Sequence, residues 1–376
     1  MEFQIYDSEL NELGIVDMFK SLIWTRRFYE LGMFELQAPM TDNNIALLQK
    51  NRYIYRPDVE EAGFIKSITE QEQDGEKLLI VSGAMLEGLL DKRAIVLTQM
   101  KPASLSEIMG YMCCESNTWQ SFENLYFENG DTDYTLQRDS HLQQLGEYVR
   151  PMLRNYNAAM KIDLYPEQKK IICRYARGTD RSADQSENPH VIFSEEYGNI
   201  YNTDYSYSEE GCYNYVRVIA IVPEGIDGSI GTPNPLDYSE YPESADGRRP
   251  AGIELSIKLI ECEAVTVEVI EYDSNGTPHK VKKLDYDQTL ELQRSICRQY
   301  FCPYTENFEG TAAGDGYRTD WKLGDYVTIE DTRRGASYKK QIEEVTEVFE
   351  GDTKTVSVVF GANLKTMIDL IKEAGK

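Results

Sequence analysis

The sequence predicts a mainly β fold with a mixed α/β insertion in its middle, on three observations. Short apolar runs alternating with polar residues crowd both ends, turn formers stand between them at hairpin spacing, and helical periodicity is confined to the interior and the tail. Many short strands at such spacing build a barrel or a sandwich.

Phe3 to Tyr6 and Gly14 to Phe19, about the polar turn Asp7 to Glu12, predict a first hairpin. Ser21 to Tyr29 and Met33 to Leu36 predict two strands about Glu30, Leu31 and Gly32. A short helix at Asn43 to Gln49 leads to a strand at Tyr53 to Tyr55. Gly63 to Thr69 and Lys77 to Ser82 predict a second hairpin through Asp74-Gly75, a pair that takes the positive φ of a tight turn.

In the middle, Ser104 as an N-cap with Glu107 three residues on predicts a helix over Leu105 to Cys113. His141 to Met160 predicts another, with Leu142, Leu145, Val149, Met152 and Leu153 on one stripe and a kink at Pro151. Strands follow at Lys161 to Leu164 and Lys170 to Tyr175, then a polar connection from Gly178 to Pro189 and a strand at Tyr213 to Val222. The Gly, Pro, Ser and Asp of Pro223 to Pro250 predict a long exposed loop. Val265, Val267 and Val269 begin a hairpin that Ser274-Asn275-Gly276 turns toward Val281, and Leu284 to Tyr300 predicts a helix.

At the C-terminal end, Tyr326, Thr328 and Glu330 fall on one face of a strand and Val327 and Ile329 on the other. Asp331 to Gly335 is a turn, and the runs Ile342 to Phe349 and Val356 to Gly361 flank a hairpin turn at Glu350 to Lys354. A helical tail is predicted from Ala362 to Lys376, with Leu364, Met367, Ile368 and Ile371 at helical spacing. The expected organisation is a first β unit over 1–100, completed where needed by later strands, an α+β insertion over 101–225, a loop, hairpin and helix over 226–300, and a second β unit with its helix over 301–376.

A length of 376 residues suggests roughly two or three units. The 64 acidic and 39 basic residues give a net charge of −25, which argues against a surface that grips nucleic acid through its phosphates. Seven cysteines, at 113, 114, 173, 212, 262, 297 and 302, form no C-x-x-C pair. With no apolar signal segment behind Met1 and no run long enough to span a membrane, this predicts synthesis in a reducing cytoplasm, no disulfide framework and no membrane insertion.

Motifs that carry chemistry are sparse. His141, His190 and His279 lack a second ligand at metal spacing, and their plain reading is exposure or a local hydrogen bond. Glu271, Asp273, Asn275 and Gly276 mimic a calcium loop, but Lys282 stands where its bidentate carboxylate must sit. Gly310, Gly314 and Gly316 have no phosphate-loop spacing and read as a flexible linker, and no G-x-S-x-G elbow exists. Glu195-Glu196 and Glu343-Glu344 could each be imagined as an acid/base pair, but among so many carboxylates they read as solvated surface. Glu123 to Asn129 resembles a protease tag site and is read as coincidence. Tyr197, Tyr201, Tyr205, Tyr207, Tyr213 and Tyr215 are interleaved with Asn, Asp and Ser, a composition that suits a subunit interface, a sugar-stacking surface or a wet connecting segment.

Asp17 to Pro39, then Leu47 to Asn51 and the strand to Tyr55, resemble the opening of siphovirus-type tail-tip hub proteins, related to the N-terminal hub of tail-associated lysozymes. Trp321 to Val327 and Val356 to Gly361 resemble the second barrel of the same proteins, which are similar to the central baseplate hub of contractile-tailed phages. The resemblance implies two tube-like β-barrels, a homotrimeric ring that adapts a six-fold tail tube to a three-fold tip and lines the DNA conduit, and a place in the virion tail after synthesis in the host cytoplasm. It implies as partners distal tail or tail-tube proteins, a tape-measure protein and tip, spike or receptor-binding proteins, with no cofactor, metal or catalytic residue. Trp24, Phe34, Trp321 and Val358 are expected in barrel cores or their packing, Gly32 and Gly324 at turns, and Tyr201, Tyr205 and Tyr207 at an interface. Several relatives continue into a wall-degrading domain, which this chain, ending at Lys376, is expected to leave to another polypeptide. The competing expectations are a module that binds cell-wall saccharide and a peptidoglycan hydrolase.

Overall fold

A computed structural model describes residues 1–73, 75–95, 103–104, 124–128, 135–136, 143–154, 156–226, 236–240, 255–274, 276–302, 304–314, 316–351 and 353–361. One unit comprises Met1–Tyr205 and Asn307–Ala362, and a second is built on Ser206–Glu306. The helices expected at Leu105 to Cys113 and Ala362 to Lys376 lie outside the described residues.

Alternation makes the first strands. In order they are β1 (Phe3–Tyr6), β2 (Glu12–Val16), β3 (Ser21–Arg27), β4 (Met33–Pro39), β5 (Tyr53–Arg56), β6 (Glu61–Gln73) and β7 (Glu76–Met85), with α1 (Asp42–Leu47) between β4 and β5. They pair antiparallel in the order β3-β4-β7-β6-β5-β1-β2. Along β4 the residues Phe34, Leu36 and Ala38 turn inward to meet Leu22, Trp24, Ile54 and Val81 in one core. Thr41 caps α1 by accepting the Asn44 amide at 3.1 Å. The second hairpin runs past the predicted Thr69 and Ser82: the polar residues after Thr69 are held by the ladder, and the strand after Ser82 continues because Ala84 and Met85 enter the cores.

The opposite face of these strands is covered by the middle of the chain. A 3-10 helix over Leu86–Lys92 is followed by the short strands β8 (Ala94–Ile95), β9 (Ala103–Ser104), β10 (Leu125–Phe127), β11 (Thr135–Leu136) and β12 (Gln143–Gln144). Then come α2 (Leu145–Arg154), β13 (Ala158–Tyr165) and β14 (Lys170–Arg177). Leu145, Tyr148, Val149 and Leu153 of α2 pack with Leu86, Leu89 and Leu90, with Ile162 and Ile171, and with Tyr6, Tyr55 and Phe64 of the first sheet. The predicted helix over His141 to Met160 is therefore shorter: Ala158, Ala159 and Met160 pair with Arg177, Ala176 and Tyr175 as strand. Two further strands, β15 (Ile192–Ser194) and β16 (Ile200–Ser208), close this part of the chain.

The second unit is a small α/β layer. Its central strand β17 (Tyr215–Ile221) lies between an antiparallel β18 (Leu236–Glu240) and a parallel β19 (Ile257–Glu263). A separate hairpin is formed by β20 (Thr266–Tyr272) and β21 (Pro278–Leu284). Asp285 caps α3 (Tyr286–Tyr300), whose Cys297 packs on Val216 and Val218. Gln293 of α3 donates its side-chain amide to the carbonyls of Val218 (3.0 Å) and Leu236 (2.9 Å). β18 corrects the reading of Pro223 to Pro250 as loop throughout: Leu236, buried beside Ala220 and Ala264, and Tyr238, packed on the Val216 and Val218 cluster, hold a strand in a polar span.

The remaining strands are β22 (Thr305–Ala312), β23 (Tyr326–Asp331), β24 (Ala336–Glu350) and β25 (Thr353–Phe360). Val327 and Ile329 are buried as the alternation predicts, and Thr328 is buried too, its hydroxyl accepting the Ala183 amide at 2.8 Å. Gly310 does not lie in a linker: it is in β22, where a Cβ would stand 2.6 Å from Ile200. Phe193, Ile200, Phe308, Trp321, Ile342, Val345, Val358 and Phe360 form a separate core for this group.

A single 13-stranded sheet carries both ends of the chain, because β24 pairs with β3 as well as with β23 and β25. The first half of β24 pairs β23; after an irregularity between Ile342 and Glu344 its second half lies between β25 and β3. Among the described strands no ladder joins β2 back to β16, so the architecture seen is two β groups with separate cores, joined along one seam.

Candidate assembly site at the strand seam

At the seam, an apolar strand carries an inward-facing charge. Val345, Glu347 and Phe349 share one face of β24, and the Glu347 side chain is only 1 % exposed. Arg56, at the end of β5 and equally buried, reaches it at 3.0 Å. Arg318 approaches it at 2.8 Å and Lys354 of β25 at 3.1 Å. Arg56 also meets Asp58 at 2.8 Å, and its guanidinium lies 5.3 Å from the Trp24 ring and 5.1 Å from the Phe349 ring. Glu61 of β6 accepts the Trp24 indole N–H at 2.7 Å and pairs with Arg318 at 3.1 Å. Nearby, Arg26 and Glu87 form a buried pair at 3.0 Å.

The electrostatics follow from burial set against these cations. Burial pushes the Glu347 carboxyl up, but the Arg318 hydrogen bond and the charges of Arg56, Arg318 and Lys354 outweigh it and hold the group down at about 2. Glu61 is likewise lowered, burial being overcome by Arg26, Arg318 and the Trp24 N–H. At Glu87 burial wins over Arg26 and the carboxyl is raised. The cluster ties residues of β3, β5 and β6 to residues of β24, β25 and the segment before β23.

Trp24, Phe34, Trp321 and Val358 are all buried, the first two stacked at 5.6 Å in the N-terminal core and the last two in the C-terminal core. Gly32 stands just before β4, where a Cβ would lie 2.6 Å from the Thr25 carbonyl. Gly324 takes φ +93 in the turn before β23, with Phe28 filling the place of a side chain. Tyr205 is partly buried against Tyr338 and under Arg334, whereas Tyr201 is 47 % exposed. In the second unit Tyr207, 50 % exposed, pairs its ring with Tyr304 at 5.2 Å and donates its hydroxyl to Glu209. The tyrosines are thus divided between separate contacts.

Neither glutamate doublet converges on one reaction centre. Glu343 faces Arg154 and is raised by burial, while Glu344 pairs with Arg27 at 2.6 Å. Glu195 accepts the Thr203 hydroxyl at 2.5 Å. His190 contacts the Gln185 carbonyl at 2.6 Å. Among the described residues no group of His, Cys, Asp and Glu is placed to hold a metal ion, and no helix is long and apolar enough to cross a membrane.

The seam residues Arg56, Glu61, Arg318 and Glu347 were missed in the sequence. Their one signal is a charge on an inward face: Glu347 between Val345 and Phe349, and Arg56 two residues after Ile54.

The family model of the Siphovirus ReqiPepy6 Gp37-like protein matches residues 2–110 and 121–226. The chain belongs to this family. The siphovirus resemblance of Asp17 to Pro39 falls inside the matched residues, and that of Trp321 to Val327 outside them. The chain is similar in fold to prophage tail protein gp18 from Listeria monocytogenes EGD-e, at 13% identity and TM-score 0.58, covering 100% of this chain and 98% of that one. It is similar also to a tail protein from Neisseria meningitidis MC58, at 12% identity and TM-score 0.59, with 96% of each chain covered. A third is the 43 kDa tail protein of prophage MuSo2 from Shewanella oneidensis, at 11% identity and TM-score 0.55, covering 96% and 98%. At these identities the likeness is one of fold. No curated protein matches the chain.

Proposed function

We propose that this chain is a non-enzymatic structural protein of a phage tail, the hub of a tail tip or baseplate, assembled as a homotrimeric ring around the conduit for DNA. The observation that carries the reading is the seam: two β groups, each with its own core, share one sheet and are locked by buried charge. Each group plays the part of one tube-like barrel, so three copies present six similar units to a six-fold tube and three chains to a three-fold tip. The family and the shared fold support a place in the virion tail. The net charge of −25 suits a conduit through which DNA slides without sticking. Its partners in this reading are tail-tube or distal tail proteins and a tape-measure protein on one side, and spike or receptor-binding proteins on the other. The test is the mass of the purified particle by light scattering together with its outline under the electron microscope. A trimeric ring is expected, and a strict monomer at high concentration overturns the reading.

A second reading, binding of cell-wall saccharide, draws on the exposed Tyr207 and Tyr304 pair. Tyr207→Ala with Tyr304→Ala should abolish cell adsorption if this pair grips sugar, and leave it unchanged if the chain is only a hub.

A further inference from the structure

The second unit holds a pair of thiols at the point where its chain enters and leaves. Just before β17, the Tyr213 carbonyl accepts the Cys302 amide at 2.9 Å, and the two residues form an antiparallel bridge beyond the end of α3. This backbone contact brings Cys212 Sγ to 3.7 Å from Cys302 Sγ, although the residues are 90 apart in sequence. Cys212 is buried and Cys302 is half-buried, its sulfur 3.3 Å from the Tyr304 carbonyl.

We propose that Cys212 and Cys302 are an oxidation site, held as thiols in a reducing cytoplasm and joined as a disulfide by a low-molecular-weight disulfide once the chain reaches an oxidising environment. The bridge fixes the two backbones, so side-chain rotation has only to shorten the sulfur separation by about 1.7 Å to reach bonding distance. The more exposed Cys302 reacts first: its thiolate attacks one sulfur of the small disulfide, forms a mixed disulfide and expels one small thiolate. Cys212, deprotonated in turn, attacks the Cys302 sulfur and expels the second. The two cysteine protons end on the two released thiols, and the two electrons lost by the cysteines reduce the small disulfide.

The bond would tie the entry of Ser206–Glu306 to its exit, closing a loop that contains the whole α/β layer. A cross-link across so long a loop restricts the unfolded chain strongly and leaves the folded one little changed. Oxidation would therefore stiffen the second unit against opening.

The test uses the full chain, purified with reductant and then incubated with oxidised glutathione. Remaining thiols are alkylated in denaturant and the digest is read by mass spectrometry. A peptide linking Cys212 to Cys302, absent after dithiothreitol, is expected, and in Cys302→Ser the thiol of Cys212 should be alkylated. Cleavage of the second unit by a protease should slow by roughly tenfold or more on oxidation. The proposal is overturned if both cysteines stay fully alkylated, if the link joins a different pair, or if reaction stops at a glutathione adduct on Cys302. Mapping on the unsubstituted chain keeps the test independent of whether a variant folds.

Discussion

Replacing Glu347 by Gln removes the anion on which three cations converge. The carboxylate and Arg56 are each 1 % exposed, and the amide leaves Arg56 to Asp58, whose side chain is 44 % exposed. Two routes give the magnitude. Neutralising one partner of a buried ion pair costs about 3–5 kcal/mol, because the other charge is left uncompensated in a poorly polarisable site. Independently, a carboxyl whose ordinary value of 4.5 is held down at about 2 contributes about 3 kcal/mol of stability near neutral pH. Since the folded value lies below the unfolded one, that contribution is complete above 4.5 and disappears as the pH falls toward 2. Glu347→Gln should therefore be less stable than the unsubstituted chain by about 3 kcal/mol at neutral pH, with the difference narrowing on acidification. Equilibrium unfolding in urea, followed through tryptophan fluorescence, to which the buried Trp24 and Trp321 contribute, reads the change as a midpoint lowered by about 1 M if the slope is about 3 kcal/mol per M. Coincident midpoints at neutral pH, or a gap that acid leaves untouched, would refute the argument. Lys354→Gln is the control: its side chain is 38 % exposed, and its loss should cost about 1 kcal/mol or less.

Gly324→Ala places a Cβ 2.3 Å from the Phe28 ring at φ +93 and should cost about 2–4 kcal/mol in a thermal melt. Gly75→Ala, at φ +81 with open space around it, should cost only about 1 kcal/mol in the same melt. Gln293→Leu strips two buried carbonyls of their donor, so about 2 kcal/mol of local protection should vanish from β17 and β18 in hydrogen exchange. Thr41→Ala should cost about 1 kcal/mol and speed exchange of the Asn44 amide, which the hydroxyl now binds.

The terminal strands were legible because each has one face in a core. Phe34, Leu36 and Ala38 bury alternate positions of β4, and Val327 and Ile329 do the same in β23. Strand ends were not legible where polar residues carry them. Ala336 to Gln341 is polar, yet it opens β24 because β23 supplies its ladder. Burial on both faces did not hide β5, whose Tyr53 to Tyr55 reads as strand although all four of its residues are buried, Ile54 in one core and Tyr53 and Tyr55 in the other; what stayed hidden is that Arg56 at its end is buried with them. The seam was out of reach altogether. Arg56 and Glu347 are separated by 291 residues, and no local pattern says that an inward charge on one strand will find its partner on the other.

Charge at the seam also explains why β3 and β24 meet in one register. The apolar face of β24 already opposes a one-residue slip, since Val345 and Phe349 would leave their cores, and the charge adds to it because Glu347 must face Arg56, Arg318 and Lys354 together. A slip of β24 by one residue along β3 would turn Glu347 to the opposite face of the sheet and leave Arg56, wedged between Trp24 and Phe349, without that anion. By the same cost that opposes Glu347→Gln, about 3–5 kcal/mol, the slipped pairing is disfavoured against the native one. Apolar burial holds the two β groups together, and the buried carboxylate adds to the cost of every other register, so that each group keeps one position along the seam.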